Sequence, residues 1–141
     1  VESSEAAMLS QVKRAARKNE WLVFLGWEPH PMNTRNKMKY LSGGDEYFGP
    51  NFGQATVYTS VRKDYLKECR NVGKLLQNME FSLAMENHRM DGVLNQNQKP
   101  RAAAKAWLKA NPAVLQAWLS GVSSRDGKDG LAMVSARLAS Q

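Results

Sequence analysis

The sequence predicts an α/β fold in its first part and a mainly helical segment after it. Apolar residues between Met8 and Ala16 recur every three or four positions, which is the spacing of an amphipathic helix. The next apolar run, Trp21–Leu25, is short, continuous and ended by Gly26, as in a strand that is buried on both faces of a sheet. Beyond residue 64 the apolar spacing is helical to the end of the chain.

The elements of the α/β part follow from these periods. The first helix is predicted over Glu5–Lys18, with Ser3 and Ser4 as residues that favour an N-terminal cap. Met38–Leu41 fits a short strand. Ala55–Val61 alternates between two sets of side chains, which is the period of a half-buried strand.

The helices of the second part begin at recognisable residues. Asn71 is predicted to cap one helix, and a continuing or broken helix carries the apolar residues from Leu83 to Leu94. Pro100 and Pro112 each open a helix, because proline is well tolerated at the first helical position. The last helix is predicted to start near Asp129.

The change of character near residue 62 is the predicted domain boundary, with an α/β segment over 1–62 and a helical segment over 63–141. Neither segment is predicted to be self-sufficient. A central strand without neighbours leaves its backbone N–H and C=O groups unpaired, and the first segment offers only a thin sheet.

Length, composition and charge exclude several classes of protein. The 141 residues, 43% of them hydrophobic, suffice for a globular domain with a core, and no apolar run is long enough to cross a bilayer. No secretory signal is visible at the start, so we expect a processed chain or a piece of a longer one. The net charge of +7 comes from scattered cations, which favours a solvated basic surface over a nucleic-acid-binding face.

Catalytic chemistry finds no support in the motifs. The chain has two histidines, His30 and His88, and neither belongs to a nucleophile motif. The single cysteine, Cys69, has no metal-ligand spacing with them, and no phosphate-binding glycine motif is present. We therefore predict no enzyme, no cofactor and no metal site.

The segment Gly26–Asn33 is the most informative motif. Trp27 leaves the end of the predicted strand in a loop that contains Pro29 and Pro31. The face of a tryptophan attracts a quaternary ammonium ion through its quadrupole, and several such rings build a cage. Physical reasoning alone leaves two interpretations open for Trp27: a ligand-binding aromatic, or a ring that is merely packed under the loop.

The same motif, with Gly26, Trp27, Pro29 and His30, resembles the strand-end pattern Gly-Trp-x-Pro-His of substrate-binding proteins of ABC importers for choline and glycine betaine. The resemblance is strongest to the choline-binding members and covers essentially the whole chain. It continues through Tyr40–Gly44, Phe48–Asn51, Ala55–Val57, Glu68-Cys69, Lys74–Asn78 and Trp118–Val122.

This resemblance implies a type II periplasmic binding protein fold, of which the chain is the C-terminal half. Residues 1–62 would then hold the ligand loop and a hinge strand of one lobe, and residues 63–141 would return to the other lobe. The resemblance implies that Trp27 forms one wall of an aromatic cage, and we expect His30 to hold the loop through hydrogen bonds of its ring. Cys69 resembles a family cysteine whose disulfide partner lies near the mature N-terminus, outside this chain.

The implied function is ligand capture for a transporter. We expect a periplasmic protein, peripheral to the membrane, that binds choline or, as the alternative, glycine betaine or proline betaine. Its partners would be an ABC permease and ATPase, with no nucleic acid. A further alternative is a truncated, non-binding fragment that is stabilised by self-association, for example as a homodimer.

Overall fold

Residues 4–140 of the chain are described by the computed structural model, and this part is mainly helical. Its helical segments are α1 Glu5–Lys18, α2 Met32–Arg35, α3 Asp45–Phe48, α4 Pro50–Gly53, α5 Tyr65–Glu68, α6 Arg70–Asn78, α7 Leu83–Leu94, α8 Pro100–Ala110, α9 Pro112–Trp118 and α10 Gly130–Ala139.

Contacts divide the chain into two units. The first unit comprises the residues up to Gln54 together with Leu83–Asp91, and the second comprises Ala55–Ser82 together with the residues from Gly92 onward. The domain boundary that the sequence predicts near residue 62 refers to the two lobes of a longer protein. It stays a prediction.

The first helix forms as the sequence predicts, with the same bounds. The Ser4 hydroxyl accepts a hydrogen bond from the Ala7 N–H at 3.3 Å, which satisfies one of the free amide groups of the first turn. At the other end Asn19 takes a left-handed conformation with φ of 55° and closes the helix. The other predicted capping residue, Ser3, lies outside the described residues.

The predicted strands do not form. Between residues 4 and 140 the structure contains no β-ladder, only an isolated bridge between Ser123 and Asp129. The prediction that Trp21–Leu25 is buried on both faces is also wrong here, since the Trp21 side chain is fully exposed. A strand exists only where a neighbour takes its hydrogen bonds, and no segment of the described chain pairs with Trp21–Leu25, Met38–Leu41 or Ala55–Val61.

The helix starts of the second part are largely confirmed. Pro100 and Pro112 occupy the first positions of α8 and α9. The Asp129 carboxylate accepts a hydrogen bond from the Ala132 N–H at 2.7 Å and caps α10. α7 is separate from α6, so the predicted helical stretch is broken rather than continuous.

Asn71 is not a capping residue, contrary to the prediction. The helix α6 already begins at Arg70, so Asn71 lies in its first turn. Its side chain instead donates to the Ser123 carbonyl at 2.6 Å and accepts from the Ser123 N–H at 2.8 Å. Asparagine favours helix caps, but here the Asn71 side chain connects two segments that are distant in the sequence.

The second unit is organised around a small apolar core. Its buried members, Leu115, Leu119 and Val122, follow one another along α9 and the turn after it. The partly buried side chains that pack against them come from α6, α8 and α10: Leu75, Leu108, Leu131, Val134 and Leu138. None of the helices in the described part of the chain is long and apolar enough to span a membrane.

Candidate functional site

The loop that carries Trp27 lies in the first unit, between α1 and the short helix α2. The Trp27 side chain is 36% exposed, so its ring is accessible rather than sealed in a core. Its centroid lies 5.2 Å from that of the His30 ring, at an interplanar angle of 57°. Trp27 thus presents part of an aromatic surface at a loop, while its role toward a ligand stays a prediction.

His30 is a buried residue of this loop, and both of its ring nitrogens make hydrogen bonds. The Met32 N–H donates to Nδ1 at 3.1 Å, and Nε2 lies 3.2 Å from Oε1 of Glu5 in α1. Because Nδ1 accepts a hydrogen bond, it carries no proton, and the proton of the neutral ring is on Nε2 and is donated to Glu5. These bonds agree with the expectation that the ring of His30 holds the loop.

Asn33 closes the loop from within. Its amide nitrogen donates to the carbonyl of Trp27 at 2.8 Å and to that of His30 at 3.0 Å. Its amide oxygen accepts from the Tyr40 hydroxyl at 3.0 Å. The backbone on both sides of Pro29 is therefore fixed by one side chain.

Asn87 in α7 fixes the same loop from outside, and the sequence interpretation missed it. Its amide oxygen accepts from the His30 N–H at 2.6 Å, and its amide nitrogen donates to Oε1 of Glu28 at 3.0 Å. Asn87 is only 5% exposed. His30 and Asn87 are 57 positions apart, so no local pattern could have indicated the contact.

Tyr40 brings a second aromatic ring next to this segment. A Cβ atom placed on Gly26 would lie 3.5 Å from the Tyr40 hydroxyl, and the Tyr40 ring also lies 6.1 Å from that of Phe52. Burial, and then the charge of Glu28, raise the pKa of Tyr40, while its hydrogen bond to Asn33 acts in the opposite sense. The neutral phenol is therefore favoured beside the loop.

Outside this loop, the groups to consider are the metal-ligating side chains and the single cysteine. Within residues 4–140, His, Cys, Asp and Glu form no group that could hold a metal ion. Cys69, which lies between α5 and α6, is a free and half-buried thiol, and the disulfide that the resemblance implies requires a second chain segment. The site offers aromatic surface and hydrogen-bonded loop backbone.

Comparison with known proteins identifies the family. A model of the family described as the substrate binding domain of ABC-type glycine betaine transport systems, OpuAC, matches residues 1–110. The glycine betaine/carnitine transport binding protein GbuC of Listeria monocytogenes is 31% identical over 127 residues, which are 90% of this chain and 41% of that protein.

Solved structures of transport binding proteins match this chain at higher sequence identity. An ABC-transporter choline binding protein in complex with choline matches with a TM-score of 0.75 and 59% identity, over 98% of this chain and 48% of that one. An ABC-transporter choline binding protein in an unliganded semi-closed conformation matches with a TM-score of 0.70 at the same identity and coverage. The chain thus spans about half the length of the relatives it matches, and its mainly helical fold is that of part of a periplasmic binding protein.

The family is one of transport binding proteins and not of enzymes, as the sequence predicted. On the match over residues 1–110 and the 59% identity to a choline binding protein, this chain belongs to the family of substrate-binding domains of ABC-type glycine betaine transport systems.

Proposed function

We propose that the chain is the C-terminal part of the substrate-binding component of an ABC importer for a quaternary ammonium compound, with choline as the first candidate. The observation that carries this proposal is the 59% identity, at a TM-score of 0.75, to a choline binding protein in complex with choline. The protein would capture its ligand in the periplasm, at the membrane surface, and deliver it to a permease and its ATPase.

Trp27 is the proposed ligand-binding residue of this chain. A quaternary ammonium ion cannot donate a hydrogen bond, so its recognition depends on aromatic faces and on desolvation. The accessible Trp27 ring, on a loop whose backbone Asn33 holds at two carbonyls, suits that task. Fixing the ring in advance lowers the entropy that binding must remove.

One aromatic wall does not make a cage. We therefore expect the chain alone to bind choline weakly or undetectably, and the remaining walls to come from the other half of the longer protein. The matched choline binding protein is about twice as long as the part that aligns with this chain, which supports a two-part site.

Calorimetric titration tests this proposal. Choline is titrated into the chain alone, and then into the chain mixed with the segment of the matched choline binding protein that this chain does not cover. We expect tight binding only in the mixture. Micromolar binding to the chain alone would show that the missing half is not required. If the two segments form a complex that binds neither choline nor glycine betaine, the proposed function is wrong.

Substitution of Trp27 tests the residue. Trp27→Ala in the mixture should weaken choline binding by about 2-fold to about 30-fold, the range of one cation–π contact from exposed to desolvated, and Trp27→Phe should weaken it less. Trp107→Phe is the matched control, because its ring packs near Trp118 in the second unit, 6.5 Å between centroids. Equal affinity in Trp27→Ala and the unmodified chain would remove Trp27 from the site.

Glycine betaine is the alternative ligand, and proline betaine belongs to the same class. The family description and the name of the Listeria relative favour it. Choline carries a hydroxyl where glycine betaine carries a carboxylate, so the two titrations separate the candidates directly. The ligand with the lower dissociation constant in the mixture is the assigned one.

Self-association of a non-binding fragment is the second alternative. The exposure of large apolar side chains in segments that were predicted as strands favours it, with Trp21, Val23 and Val57 as the clearest cases. Sedimentation over a range of concentrations decides: a stable dimer that does not dissociate when the companion segment is added supports the fragment, and a monomer argues against it.

A further inference from the structure

Helix α7 contacts both the loop that contains Trp27 and the short helix α2 that follows this loop. Asn87 and Asp91 are four residues apart, so they lie one above the other on the same face of α7. Asn87 bonds to Glu28 and to the backbone of His30. Asp91 pairs with the Arg35 guanidinium through both oxygens, from Nη2 to Oδ2 at 2.9 Å and from Nε to Oδ1.

The two contacts of Asn87 need one acceptor and one donor, and an amide side chain has both. The His30 N–H needs an acceptor, and the Glu28 carboxylate needs a donor, and one side chain supplies both at a buried position. An aspartate at this position would still accept from the His30 N–H but would face the Glu28 carboxylate as a second anion. An aliphatic side chain would leave both groups without the bonds that Asn87 supplies.

The two residues that Asn87 contacts, Glu28 and His30, both lie next to Trp27. Glu28 follows Trp27 directly in the chain, and the His30 ring centroid is 5.2 Å from that of Trp27. Asn87 itself has no contact with Trp27 among its hydrogen bonds in the described part of the chain. The hydrogen bonds of Asn87 therefore act on the indole through Glu28 and His30.

We propose that Asn87 is a positioning residue for ligand affinity: by bonding Glu28 and His30 it keeps the Trp27 ring in the orientation that meets a quaternary ammonium ion. This inference rests on the proposed function. A loop that is released from Asn87 has to be ordered again when the ligand binds, so the dissociation constant rises although the aromatic ring is still present.

The test exchanges the two polar partners. Asn87→Asp should weaken choline binding in the reconstituted mixture by about 2-fold to about 10-fold, which is less than the full loss of one desolvated cation–π contact because the Trp27 ring is still present. Glu28→Gln alone should have little effect, because its amide oxygen still accepts from Asn87. The double variant Glu28→Gln with Asn87→Asp should restore affinity, since the amide introduced at position 28 can then donate to the carboxylate introduced at position 87.

Asn71→Asp is the matched control, because Asn71 makes a comparable pair of hydrogen bonds to Ser123 in the second unit. It should leave the dissociation constant unchanged. Unchanged affinity in Asn87→Asp, or a double variant that is as weak as Asn87→Asp, would overturn the proposal.

The indole N–H signal of Trp27 in a nuclear magnetic resonance spectrum of the chain alone separates this inference from the proposed function. Asn87→Asp should shift or broaden that signal, the double variant should return it, and Asn71→Asp should leave it in place. If the mixture binds no quaternary ammonium ion, the function fails and the link to affinity fails with it. An indole signal that does not respond to Asn87→Asp would overturn the positioning role itself.

Discussion

The loop around Trp27 and the helical core around Leu115 are stabilised in different ways. The loop is held by directed hydrogen bonds from His30, Asn33 and Asn87, whose partners are specific backbone and carboxylate groups. The core of the second unit is held by the burial of apolar side chains, Leu115 first among them. Hydrogen bonds fix orientation, whereas apolar burial contributes more free energy and specifies less direction.

The difference suits the role proposed for Trp27. An aromatic ring that recognises a cation gains from a fixed orientation, because cation–π attraction depends on where the face points. Non-directional burial is enough to keep the helices of the second unit folded. We therefore expect the largest losses of stability from the core and the most specific effects from the loop.

Removing the centre of the apolar core should have the largest effect on stability. Leu115→Ala should lower the free energy of unfolding by about 2 to 5 kcal/mol, since it removes buried contacts and leaves a cavity. Leu115 is 6% exposed, whereas Leu94 is 54% exposed and serves as the matched control, with an expected change within about 0.5 kcal/mol. Urea denaturation measures both. Equal losses in the two variants would mean that burial does not stabilise the second unit in the way proposed.

The helix caps should have smaller effects, and each unit has one cap in which a side-chain oxygen accepts from a backbone N–H of the first turn. Asp129→Ala removes an acceptor at 2.7 Å from the Ala132 N–H, and we expect a loss of about 1 kcal/mol. Ser4→Ala removes a longer bond of 3.3 Å to Ala7, and we expect about 0.5 kcal/mol. Thermal unfolding gives both values. A larger loss from Ser4→Ala would reverse the expected order and show that the bond length does not rank the caps.

Local signals in the sequence were sufficient for the first helix and for the starts of three helices in the second part, but not for the short helices α2 to α5. The spacing of apolar residues indicated Glu5–Lys18 with its observed bounds, and the fixed φ of Pro100 and Pro112 marked two helix starts. The strands could not be obtained in this way. The run Trp21–Leu25 has the composition of a buried strand, but its conformation depends on neighbours that the described chain does not supply.

The candidate site was predictable only where its residues are close in sequence. Trp27 and His30 share one motif, so the pattern Gly-Trp-x-Pro-His indicated both. Asn87 lies on a helix far along the chain, in a polar stretch with no distinguishing period, and its role arises from folding alone. Asn71 was wrongly predicted as a helix cap. Asparagine has a strong local preference for that position, but here its side chain contacts the distant residue Ser123.

The smallest expected effect is a dependence of loop stability on alkaline pH, and it distinguishes the polar loop from the apolar core. Burial and the charge of Glu28 raise the pKa of Tyr40 above its ordinary value of 10.0, so folding favours the protonated phenol. This contribution to stability is fully present below pH 10.0 and is lost as the pH rises through the higher pKa of the folded state. Tyr40→Phe should remove this part of the alkaline loss, measured as the free energy of unfolding at increasing pH, and should also cost the bond to Asn33 at neutral pH.

Tyr47 provides the control for this alkaline effect, because its ring is exposed. Tyr47→Phe should keep the pH profile of the unmodified chain, since that substitution leaves the hydrogen bond between Tyr40 and Asn33 in place. If both variants lose stability at high pH as the unmodified chain does, the Tyr40 hydroxyl is not coupled to the loop, and the polar network is smaller than its hydrogen bonds indicate.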